Sequence, residues 1–195
     1  MAHNMFFLSF LVTLVVAMHG LYAVQYVVTN NTWRTPGGVR FKNQIGFEYS
    51  KRTMKTATDF VWNLFQQNNI ADRENVATVR LFINVMDGIA STFNGDICVS
   101  AEYINGYSGN VKTEITGVIY QEITHIWQWK GNVRSTPPLG LIEGTADYVR
   151  LKAGYAPSHW VKPGQGNIDG IKATMLRLDF WTIAIVLEMA KWVCG

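Results

Sequence analysis

VKTEITGVIYQEITHIWQW, residues 111–129, is the stretch on which the reading of this chain turns. Ile115, Ile119, Ile123 and Ile126 recur at steps of three and four residues, the period of an α-helix with one apolar face. Glu114, Gln121, His125 and Gln128 fall at spacings of 7, 4 and 3 and form a second, polar stripe. On a surface helix such a seam is ordinary. Its middle also matches, at all but one position, the H-E-x-x-H spacing that offers two zinc-binding imidazoles and a glutamate base from one helical face. Glu122 and His125 are in place, and Gln121 stands where the pattern has its first histidine. A neutral amide oxygen is a poor zinc ligand beside imidazole or carboxylate, so most of the metal affinity is expected to be lost.

A second segment bears on the same chemistry. GLIEGTAD, residues 140–147, puts Glu143 and Asp147 four apart on a helix predicted from Leu139 to about Lys152. Pro137-Pro138 precedes that helix and Gly154 closes it, with Arg150 and Lys152 in its last turn. Two helices joined by a short loop can pack antiparallel, which would bring Glu143 within reach of His125. Among zinc hydrolases whose third ligand is a glutamate, an E-x-x-x-D arrangement supplies that ligand first. The aspartate then buttresses a ligand histidine through its other ring nitrogen. Taken singly, Q-E-x-x-H is a weak match and Glu143 reads equally well as a solvated surface acid. In order and in helical phase, they point together to a metal site.

The rest of the chain reads as one α+β domain, strands first and helices after. Its 195 residues leave room for one core and show neither repeats nor linkers. A β-rich start is predicted at residues 26–28 and 39–41, with Thr35-Pro36-Gly37-Gly38 as a bend between them. Residues 53–67 have helical periodicity, and residues 76–86 (VATVRLFINVM) read as a strand entering a turn at Asp87-Gly88. A second strand is predicted over residues 97–104, stopped by Asn105-Gly106, and a late apolar helix over 171–193.

Seventeen Lys and Arg against 14 Asp and Glu give a charge of +3 without the clustered basic residues of a nucleic-acid reader. Trp62, Trp127, Trp129 and Trp160 sit among apolar neighbours and read as core. Residues 5–18 form an apolar run of secretory length, so residues 1–23 are read as a signal peptide and the mature chain as starting at about Val24. An uncleaved anchor is the alternative; after cleavage no membrane association is expected. Asn30 opens the one N-x-S/T sequon, a candidate glycosylation site. Two cysteines, Cys98 and the penultimate Cys194, are no disulfide framework and are read as free thiols. A monomer is expected. His159, beside Trp160, is read as a packed histidine, with a metal or substrate contact as the alternative.

Several ordered blocks carry a family resemblance: VTNN (28–31), TPGGVRF (35–41), ATDFVW (57–62), MDG (86–88), GYSG (106–109), the helix at 114–129, residues 140–154, and PSHWVKPGQG (157–166). With these the chain resembles the plant basic secretory protein family, secreted proteins grouped with zinc metallopeptidases. The resemblance implies a zincin-like domain over residues 24–195, a small N-terminal sheet followed by active-site helices. It implies residence in the apoplast or cell wall, a link to defence or stress, and peptide or protein substrates. Zinc would be held at Gln121, His125 and Glu143, with Glu122 as base and Asp147 behind a ligand histidine. The chain departs from the family at Gln121, and again at its end. Family members continue beyond the point where this chain stops after FWTIAIVLEM (180–189), so a truncated or altered tail is expected. These departures predict a metallopeptidase of reduced or lost activity. The alternative is a non-catalytic extracellular protein that binds peptide or wall material.

Overall fold

The computed structural model describes residues 23–129, 131, 137–158 and 160. Its sheet grows outward from β2 (Thr78–Asn84), in which Val79, Leu81 and Ile83 alternate inward and are fully buried. β1 (Gln25–Asn30) pairs parallel to it, from Gln25 opposite Thr78 to Asn30 opposite Ile83. On its other side β4 (Asp96–Ser100) is also parallel, setting Leu81 opposite Ile97 and Ile83 opposite Val99. β3 (Ala90–Phe93) closes the row antiparallel to β4, giving the order β1-β2-β4-β3. The β3–β4 turn is Asn94-Gly95 with φ of 48° and 82°, the left-handed pair that a tight hairpin requires.

Between β1 and β2 the chain forms α1 (Pro36–Arg40), a π-helical turn (Phe41–Ile45) and the long α2 (Phe47–Leu64). The β-rich reading of residues 39–41 is thereby corrected. Thr35 accepts a hydrogen bond from the Gly38 N–H at 3.1 Å, and Pro36 occupies the first helical turn, so the supposed bend is a capped helix start. Glycine is needed there, since a Cβ on Gly37 would collide with the Ala101 carbonyl oxygen. The strand predicted over 97–104 is corrected likewise. It stops at Ser100, whose hydroxyl accepts from the Tyr103 N–H at 3.2 Å and starts α3 (Ala101–Gly106). α4 (Val111–Trp127) begins at the cap Asn110, and α5 (Leu139–Lys152) has the predicted bounds. The helix predicted at 171–193, His159, Cys194 and the leader over 1–22 lie outside the described residues. No described helix is long and apolar enough to cross a membrane.

α4 is the pillar of the domain, packed on α2, α5 and β3. Ile115, Ile119 and Ile123 are fully buried and Ile126 nearly so. β-Branched residues and threonines make up much of this helix, and each costs at most about 0.7 kcal/mol in propensity. Burying one isoleucine returns roughly 1.5–3 kcal/mol, so packing decides the conformation. Trp127 is in the core and stands edge-on to Trp62 at 5.0 Å. Trp129 is not core: it lies beyond the Gln128 C-cap, where helical phase no longer turns it inward, and it is exposed.

The α4–α5 contact is close at Gly117, where a Cβ would stand 2.6 Å from Arg150 Nε and 2.9 Å from Tyr155 O. Propensity alone favours alanine over glycine inside a helix by about 1 kcal/mol. Gly117→Ala is expected to destabilise instead, by about 1 kcal/mol or more, because overpacking outweighs that gain. Urea unfolding checks the sign.

Candidate active site

Contacts between α4 and α5 run in opposite directions: His125 meets Glu143, while Gln121 and Glu114 both meet Arg150. The antiparallel packing inferred from the short loop is what aligns the two motifs. His125 Nε2 is 3.5 Å from Glu143 Oε2. Glu143 is exposed, whereas Glu122 is buried and Asp147 half-buried. His125 contacts Glu143, and Glu122 and Asp147 both feel its charge, so the four residues form one cluster.

Glu122 has a partner that the sequence reading missed. Thr92 on β3 donates its hydroxyl to Glu122 Oε2 at 2.7 Å and lies 3.2 Å from the Glu122 carbonyl oxygen. A visible signal existed in Asn94-Gly95, the dipeptide most typical of tight hairpins, with Ser91-Thr92-Phe93 just before it. Reading that hairpin would have placed an edge strand beside the site helix. Burial pushes the Glu122 carboxyl up to about 7; the Thr92 hydrogen bond opposes this, the Glu143 charge adds to it, and the Arg150 charge opposes it. Asp147 is raised to about 6, by burial first and then by Glu143, again against Arg150.

Position 121 is engaged elsewhere. Arg150 Nη1 donates to Gln121 Oε1 at 3.2 Å, Nη2 to Glu114 Oε1 at 2.8 Å, and Nε to the Tyr155 carbonyl at 3.0 Å. Tyr103 adds its hydroxyl to the same Glu114 oxygen at 2.8 Å, and burial with that bond raises the phenol well above its usual range. The guanidinium therefore holds the amide oxygen that would have to serve in place of an imidazole.

The fit to zinc is partial. Two ligands on a tetrahedral zinc at about 2.0–2.1 Å stand roughly 3.4 Å apart, close to the His125–Glu143 separation. No group of three or more His, Cys, Asp or Glu side chains suited to a metal ion occurs among the described residues. Of the expected ligands, then, His125 and Glu143 have the chemistry and spacing, and Gln121 does not. Asn30 lies at the far end of β1 in a closed turn: its Nδ2 donates to Gly38 O at 2.8 Å while Oδ1 accepts from the Thr32 N–H at 3.0 Å. Cys98 is a free thiol.

Fold and site together define an α+β domain with one histidine and several carboxyls clustered where two antiparallel helices meet. The family model described as peptidase of plants and bacteria (BSP) matches residues 21–182, and the chain belongs to that family, the basic secretory proteins suspected from its motif blocks. No curated protein and no solved structure gives a significant match.

Two outcomes follow from the charges of this cluster. Folded Glu122 and Asp147 keep protons that the unfolded chain, with ordinary values of 4.5 and 3.8, releases. The stability this confers is complete below about pH 4 and is lost as pH rises through about 7. Glu122→Gln is therefore expected to raise the Tm of the metal-free protein at pH 8 and to change it little at pH 4, as calorimetry at the two pH values would show. Arg150→Ala leaves Glu114 buried without its cation and is expected to cost about 3–5 kcal/mol in urea unfolding.

Proposed function

We propose that this protein is a secreted metallopeptidase-family member, linked to defence or stress response, whose hydrolytic activity is reduced or lost at position 121. The observation that carries this reading is the Arg150–Gln121 hydrogen bond, which engages the only oxygen that the substituted side chain could offer a metal. Secretion is supported by the apolar run over residues 5–18, and the extracellular and defence context by the family resemblance.

His125 and Glu143 are the residues that would hold zinc, which when bound supplies Lewis-acid polarisation of a peptide carbonyl. Glu122 is the base. With a pKa near 7 its carboxylate is partly free at neutral pH to take a proton from water, and the Thr92 hydroxyl fixes the oxygen it touches. A substrate peptide has a natural place to lie, because β3 is the last strand of the sheet and packs beside α4. That strand edge is retained whatever stands at position 121. It favours a second reading, a non-catalytic extracellular protein that binds peptide or wall material.

Zinc content by elemental analysis and casein cleavage, measured together on the natural chain and on Gln121→His, separate these readings. The expected result is substoichiometric zinc and little cleavage in the natural chain, with both rising in the histidine variant. Near-stoichiometric zinc and chelator-sensitive cleavage in the natural chain would refute the loss of activity. Peptide binding without cleavage in both forms would favour the binding protein.

A further inference from the structure

Gln128 is the last member of the polar stripe of α4. It is the C-cap of that helix, nearly fully buried, with its backbone N–H held by Thr124 O at 2.9 Å. Its side-chain amide lies 2.9 Å from Nδ1 of His125, the ring nitrogen opposite the one that faces Glu143. An imidazole nitrogen has a single in-plane site for a donor or acceptor, so the amide occupies that edge of the ring. The other end of the amide, Oε1, is buried and has no hydrogen-bond partner among the described residues.

We propose that Gln128 is a positioning residue for His125: its amide fixes which imidazole nitrogen carries the proton, and it turns over when a cation takes Nε2. The physical basis is the near-identical shape of the two ends of a side-chain amide, one donor and one acceptor. Turning an amide usually sacrifices the bond made by its far end. Here the far end makes none among the described residues, so the amide follows the ring. With Nε2–H directed at Glu143, Nδ1 is bare and the amide donates to it. With the Nε2 lone pair on a cation, Nδ1 carries the proton and the amide oxygen accepts it. Buttressing of a ligand histidine was expected of Asp147; at Nδ1 of His125 the structure places Gln128. Such partners fix ring orientation and raise ligand basicity, and their loss typically weakens metal binding about 10- to 100-fold.

The test uses the full chain labelled with nitrogen-15 in histidine, with the His125 signals assigned by their loss in His125→Asn. Metal-free natural protein is expected to show Nε2 protonated and Nδ1 bare. Gln128→Glu, which only accepts, is expected to move the proton to Nδ1. Gln128→Met, which does neither, is expected to give a mixture of tautomers. Zinc affinity, read by competition with a chromophoric chelator, is expected to fall about 10- to 100-fold in Gln128→Met and to hold or rise in Gln128→Glu. Only this zinc arm rests on the proposed function, and it is repeated on the Gln121→His background, so a site too weak to load does not obscure the result. If His125 keeps one tautomer in all three chains, or if Gln128→Met binds zinc as tightly as its parent, the proposal is overturned. Should Gln128→Met fail to fold, the tautomer of Gln128→Glu decides alone.

Discussion

The buried ion pair between Arg150 and Glu114 is the constraint on which the site depends. Both side chains are about 4% exposed, and they join the last turn of α5 to the first turn of α4. Such a pair adds little net stability, because desolvation offsets its attraction, yet breaking it is costly. Its value here is register. Three of the guanidinium's nitrogens are each tied to a different acceptor, Tyr155 O, Gln121 and Glu114, and the fork is rigid. α5 therefore cannot slide along α4 without losing the bonds to Gln121 and Glu114 together. Glu143 and Asp147 ride on α5, and Glu122 and His125 on α4, so the same clamp fixes their mutual distances.

The clamp also acts on the electrostatics of the cluster. Arg150 favours ionisation of both Glu122 and Asp147, whereas Glu143 disfavours it and burial disfavours it more. Burial prevails, and two carboxyls sit poised between neutral and charged near physiological pH. The exposed Glu143 carboxylate thus acts on one buried and one half-buried carboxyl, and a change of charge there is felt by both.

Much of this arrangement was legible because helical spacing is a local property. The phasing of Ile115, Ile119 and Ile123 located α4, and Pro137-Pro138 and Gly154 bracketed α5. The α+β class followed from the order of elements. What escaped was decided by single capping side chains or by distant partners. Thr35 and Ser100 turn apparent β-sequence into helix through one hydroxyl each. β3 is four residues long, too short for its alternation to register, and with it went Thr92, the partner of Glu122. Arg150 read as a last-turn cation complementing the helix dipole. Nothing in local sequence says that it is buried, because its acceptor Glu114 lies 36 residues away.

These same contacts give the Gln121 side chain a structural task. A leucine at position 121 would leave Arg150 with an unsatisfied donor, a penalty of about 1–3 kcal/mol. Glutamine avoids it, because its amide oxygen accepts from Nη1. At position 121 the scaffold thus asks only for a hydrogen-bond acceptor, which glutamine supplies. Glu122 and Asp147 stand in the opposite position. Above neutral pH their ionisation in a buried setting works against folding. A positive charge held between His125 and Glu143 would offset that cost by drawing protons off both carboxyls, as ligand deprotonation couples cation binding to pH. The electrostatics of Glu122 and Asp147 would therefore favour a cation beside them, while the Gln121 amide oxygen is held by Arg150.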